Sequence, residues 1–160
     1  VTSNASTTQP RRPRPRTRRT ELAISVLTDA HVIVNSVTLS DHANEVAIED
    51  TREEVDITAF GAVNKTITKG LGDAKITIKF FQDFAAGEVH ATLQPLIAST
   101  TPVTVEVRPT SAARSATNPA AVLSALLMNY NMLDGSVGEA STISAEFVNA
   151  SQTGMQYLTA

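Results

Sequence analysis

Residues 74–82 read AKITIKFFQ. Ile76, Ile78 and Phe80 alternate with Lys75, Thr77 and Lys79, the two-residue period of a strand with one dry face and one wet face. The same period recurs on both sides. Upstream, NEVAIE at 44–49 sets Val46 and Ile48 against Glu45, Ala47 and Glu49. Asp50-Thr51-Arg52 then reads as a polar corner, after which Val55 and Ile57 alternate with Glu54, Asp56 and Thr58. Residues 44–58 therefore predict a hairpin with one buried face and one acidic face. LAISVL (22–27) and HVIVNSVTL (31–39) are rich in Val and Ile, and Asn35-Ser36 predicts a turn between two short strands. Downstream, PVTVEV (102–107) and STISAEFV (141–148) read as strands. Phe60, ending one strand beside Gly61, and Phe80, in step with Ile76 and Ile78, are the expected core anchors.

One stretch has helical spacing. Within Ala85–Ile97, Val89, Leu93, Leu96 and Ile97 fall on one face, and Pro95 is expected to end or distort the last turn. Residues 61–72 (GAVNKTITKGLG) and 109–119 read as loops. Residues 120–133 stay open between helix and strand: AAVLSALLMNY has helix-forming composition but neither a cap nor a clean polar stripe. The balance predicts a mainly β fold, a β-sandwich or barrel of short antiparallel strands with one packed α-helix, spanning 21–160 behind an extended N-terminal arm at 1–20.

Composition narrows the function. The chain has 160 residues, 42% hydrophobic and only 4% aromatic, so its core is built from Val, Ile, Leu and Ala. A chain of this length buries roughly 68–70% of its unfolded surface without cross-links. The absence of cysteine removes disulfides, thiolate zinc sites and cysteine nucleophiles. No apolar run reaches the ~18 residues of a membrane span and no secretion signal is visible, so a soluble protein with no membrane partner is expected. The net charge of −3 hides a division: Arg11, Arg12, Arg14, Arg16, Arg18 and Arg19 give the first 20 residues +6, while 7 basic and 16 acidic residues give the remainder −9. The arm has too few apolar side chains to fold by itself, and Pro10, Pro13 and Pro15 exclude a helix there. Its charge suits phosphate or an acidic protein surface. With no aromatic residue before Phe60, base stacking has no support.

Catalytic patterns are missing. His31, His42 and His90 are dispersed, and the local pairs Asp41-His42 and Glu88-x-His90 supply too few ligands for a metal site. There is no G-x-S-x-G. Gly70-Leu71-Gly72 lacks the third glycine and following helix of a dinucleotide site, and Asp134-Gly135-Ser136 reads as a turn rather than a calcium loop. No enzyme activity, cofactor or metal is expected.

Several motifs in order carry a resemblance: VDITAFG (55–61), KGLGDAKITIKFFQDFAAGEVHATLQPLI (69–97), TVEVRP (104–109), SATNPA (115–120) and LDGSVGEASTISAEF (133–147). Together they resemble the tail tube (major tail) proteins of long-tailed bacteriophages, over about residues 30–150. The resemblance implies a β-sandwich subunit with one helix that self-associates, as hexameric rings stacked into a tube, with other virion proteins as neighbours. Double-stranded DNA would pass through transiently and non-specifically. It implies a location in the virion tail, after synthesis in the host cytoplasm. Glu45, Glu49, Glu54 and Asp56 would then line the lumen, and the six arginines would form an assembly arm. The arginine arm departs from the common pattern and equally fits a capsid decoration or head-associated protein that grips the shell or its neighbours.

Overall fold

The computed structural model describes residues 26–160. The six arginines of the arm lie outside the described residues, as do residues 22–25 of the first expected strand; Val26 and Leu27 belong to no strand. The elements are β1 (His31–Val34), β2 (Val37–Thr38), β3 (Ala43–Asp56), β4 (Ile67–Phe81), α1 (Val89–Ile97), β5 (Val103–Arg108), β6 (Ala120–Tyr130), β7 (Thr142–Asn149) and β8 (Gln156–Leu158). Among the described residues the fold is mainly β with one helix. All strand pairs are antiparallel, in the order β2-β1-β5-β6-β7-β4-β3, with β8 on β6.

This order forces curvature. β2 and β3 sit at opposite ends of the path, six strand spacings apart, which in a flat sheet would be about 29 Å. Only Leu39–His42 join them, and that link reaches ~17 Å at full extension. The sheet must therefore curl until its ends approach, enclosing one core. Val32, Val34, Val105, Leu123, Ile143, Phe147, Ile76, Ile78 and Phe80 line it from five strands, and Val89, Leu93 and Leu96 of α1 close it against β6. Leu39, in the link, is fully buried.

Residues 120–130 form a strand, which settles the open reading. Ala121, Leu123, Ala125 and Leu127 point inward on alternate positions. β6 is the central strand, flanked by β5 along one edge and by β8 and then β7 along the other. Burial between three strands and a helix overrides the helix propensity of Ala and Leu. Asn35 and Ser36 take φ of 49° and 68°, the paired left-handed geometry of a tight β1–β2 hairpin. The helix starts at Val89 and ends two residues beyond Pro95.

Four expectations need correction. β3 runs unbroken through Asp50-Thr51-Arg52, because its hydrogen-bonding partner is β4 rather than its own second half. Val55 and Ile57 are exposed accordingly. Residues 67–72 belong to β4, so the predicted 61–72 loop shrinks to a hairpin end. Phe60, at that end, is 109% exposed and anchors nothing, whereas Phe80 is fully buried.

Candidate assembly surface

β3 and β4, at 14 and 15 residues, are the longest strands and outrun the part of the sheet that covers the core. Their inner halves join the sheet, where Ile48 faces Ile76 and Val46 faces Ile78. Their outer halves, beyond Asp50 and Ala74, have no neighbour but each other, and every residue of β3 from Ala47 onward is exposed. The result is a two-stranded arm ending in residues 57–66. Its register is fixed locally: Asp56 accepts from the Thr58 backbone at 2.9 Å, Ile57 donates to Thr66 O at 2.9 Å, and Thr66 N donates to Thr58 Oγ1 at 2.8 Å. The Thr58 hydroxyl and, after it, the Thr58 backbone N–H hold the Asp56 carboxyl below its ordinary pKa. Ile57, Phe60, Val63, Ile67 and Leu71 all stand exposed along the outer half. A two-stranded ribbon that shows this much apolar surface is marginal without a partner.

Gly70 and Gly72 set how the arm packs. A Cβ on Gly70 would meet Val55 Cγ2 at 2.8 Å and Glu53 Cβ at 3.2 Å; one on Gly72 would meet only the Arg52 guanidinium. The lone G-x-G is thus a place where β3 side chains cross the β4 backbone. It lies inside a strand, beside the register shift between Arg52↔Gly72 and Glu54↔Lys69.

The acids of β3 do not form one face. The extra residue at the shift is on β4, since the pairs advance two positions on β3 and three on β4. β3 therefore keeps its alternation. Glu45 and Glu49 share a face, and Glu54 and Asp56 fall on the other with Val46 and Ile48. Each also has a basic partner: Glu45 with Lys79 at 2.7 Å, Glu49 with Lys75 at 3.4 Å, and Glu54 and Asp56 with Lys65 at 3.0 and 4.0 Å. Between residues 43 and 81 the charges are seven acidic and five basic, a net of −2. What reads in one strand as an acidic face is a cross-strand ladder of ion pairs.

At the other end of β4, His42 sits among three carboxylates. Its Nδ1 is 2.9 Å from Asp41 Oδ1 and 3.7 Å from Glu88 Oε2, and its Nε2 is 3.1 Å from Asp83 Oδ2. Burial alone would lower its pKa, but hydrogen bonds to Asp83 and Asp41 and the charges of Asp41 and Glu88 outweigh it, and the pKa is raised. The sequence paired His42 only with Asp41; Asp83 and Glu88 arrive through the fold. His90 hydrogen-bonds Tyr130 Oη at 2.7 Å, and His31 lies 3.1 Å from Ser40 Oγ. The three histidines are not brought together. Among the described residues no group of three or more His, Cys, Asp or Glu is arranged to hold a metal ion.

Sequence reasoning missed a half-buried ion pair on the outer face of β5. Arg114 donates to Glu106 through Nε at 3.1 Å and Nη2 at 2.5 Å, with Arg108 Nε 3.4 Å away. The Arg114 bonds lead in holding the Glu106 carboxyl below its ordinary pKa. Buried Asn118 fastens the overlying 109–119 loop by donating to Thr110, Ala112 and Ala113 carbonyls. Inward-facing Val105 and Val107 flag β5 as a strand, but nothing local foretells a partner eight residues on.

No family model matches the chain, and no curated protein does. Solved structures do. A chain in the virion of the native gene transfer agent particle superposes with a TM-score of 0.63 at 10% identity, over 81% of this chain and 95% of that one. A chain in the extended sheath–tube complex of the PVC extracellular contractile injection system gives 0.63 at 10%, over 88% and 95%. A chain in the C6-symmetric tail of the empty gene transfer agent particle gives 0.57 at 11%, over 72% and 81%. At these identities the similarity establishes a shared fold.

Proposed function

We propose that this chain is a virion tail structural protein that self-associates into rings, six-fold in number, stacked as a tail tube through which DNA leaves the particle. The observation that carries this reading is the β3–β4 arm, which projects beyond the core with Ile57, Phe60, Val63, Ile67 and Leu71 exposed. A monomer gains nothing from such an arm, whereas a copy seated against it would bury it. The fold shared with chains of tail and sheath–tube assemblies, one of them C6-symmetric, supports the same assignment. A head-to-tail contact of this kind stacks without limit.

In this reading a face of the β3–β4 sheet lines the conduit, and Glu45 and Glu49 are its lumen candidates. DNA carries one charge per ~1.7 Å of axis, so a net basic wall would trap it. Carboxylates matched by Lys79 and Lys75 make a wall without net attraction. The test is electron microscopy of the purified protein beside the variant Phe60→Asp/Val63→Asp. Tubes or six-fold rings from the native chain, lost in the variant at unchanged melting temperature, support the assignment. Monomers or trimers from the native chain overturn it in favour of a capsid decoration role.

A further inference from the structure

The curled sheet leaves a groove open between β3 and the strands it curls toward. Its floor is Val107 and Ala121, its walls include Val46, Ile48 and Tyr157, and it encloses about 210 Å³ of almost wholly apolar space. Ile48 and Tyr157 are substantially exposed there, as is Leu27, which lines the groove where the described chain begins. A second hollow of about 550 Å³ continues from it past Leu27, Ala30 and Val46, and its lining includes the carboxylates of Asp29, Asp41 and Glu45, of which Asp41 already faces His42 and Glu45 already faces Lys79. One channel is thus apolar at one end and acidic at the other.

We propose that this channel is the docking site of the chain's own N-terminal segment, with Leu22 and Ile24 in the apolar half and the arginines of 11–19 along the acidic half. Twenty-five residues precede Val26. Those nearest are apolar (Leu22-Ala23-Ile24) and those further out hold six arginines without an acid. Segment and channel match in chemistry, in order, and in where the chain enters. Reach is ample: Thr17 is ten residues from Leu27, ~33 Å when extended. A tether this short holds the segment near its site at an effective concentration in the millimolar range, which favours the same chain over a second copy. The arm is then a bound element of the subunit, and its charge is partly answered before any external partner is met. The inference is independent of tube formation.

The chain has no cysteine, so introduced pairs report proximity directly. Full-length Ile24→Cys/Ile48→Cys probes the apolar half, Thr17→Cys/Asn44→Cys the acidic half, and Ile24→Cys/Phe60→Cys serves as the distant control. Both channel pairs are expected to form intramolecular disulfides about tenfold faster than the control. The Thr17 pair is expected to slow about tenfold from low salt to 0.5 M as its attraction is screened, while the Ile24 pair holds its rate. Tyr157→Cys replaces Ile48→Cys if the latter lowers the melting temperature of the reduced protein. Channel rates equal to the control overturn the proposal. So do disulfide-linked dimers, which would place a second copy's segment in the channel.

Discussion

Phe60 and Phe80 stand twenty positions apart, both at the ends of alternating runs, and they meet opposite environments. Phe80 pairs with Ile143 across β7 and is fully buried; Phe60 lies past the last rung of the arm, in water. Phe80→Ala is expected to cost ~3–5 kcal/mol in urea unfolding. Phe60→Ala is expected to stay within about 0.5 kcal/mol in the same measurement on the monomer. His42 gives a pH signature. Its folded pKa is raised, so its contribution is complete below the unfolded value near 6.5 and fades as pH rises through the higher folded value. His42→Gln should therefore lower the melting temperature more at pH 5.5 than at pH 9. An equal loss at both would mean that the imidazolium makes no difference to these carboxylates.

At the scale of elements, the inner half of the β3–β4 arm was legible and the outer half was not. Ile76, Ile78 and Phe80 announce their strand because each faces the core. Past Ala74 no core remains, so the alternation of Thr68 to Gly72 carries no hydrophobic signal, and glycines there read as a loop. β6 was ambiguous for the opposite reason: every neighbour that makes it a strand is distant in sequence. The candidate site was half readable, because Glu45 and Glu49 are visible as exposed acids while Lys75 and Lys79 become their partners only once the register is known. Gly70 and Gly72 test the arm itself. Gly70→Ala must displace the Val55 side chain and Glu53, whereas Gly72→Ala moves only a flexible guanidinium. Amide exchange in residues 53–57 and 67–72 is expected to accelerate in the first variant and hardly change in the second. Comparable acceleration in both would show that the close approach at Gly70 does not govern the arm.

At the scale of the molecule, stability resides in the curled sheet and α1. Deleting residues 1–20 is expected to leave the melting temperature nearly unchanged, since the core among the described residues begins at Val32 and the deletion spares Leu22 and Ile24. A loss as large as that from Phe80→Ala would make the arginine segment part of the sheet. Acid weakens the outer face instead. Glu106 has a lowered folded pKa, so its bonds to Arg114 stabilise the fold above the ordinary carboxylate value and are lost as pH falls through the folded one. Glu106→Gln is expected to lower the melting temperature at pH 7, with the difference shrinking toward pH 3.

The pairing of β1 with β5 joins His31 to Arg108, across 77 positions of chain. On a ribosome adding ~5–20 residues per second, β1 therefore emerges several seconds before the strand that will cover its open edge. During that interval Val32 and Val34 are apolar side chains on a nascent strand with only the two-residue β2 beside it. Refolding from urea should likewise be slow for the chain's size, on the millisecond-to-second scale of domains dominated by non-local contacts. In the tube reading proposed above, a chain that must associate with many copies of itself thus carries uncovered Val32 and Val34 for seconds before its synthesis ends, and lowering the expression rate is expected to raise the fraction of chains recovered folded.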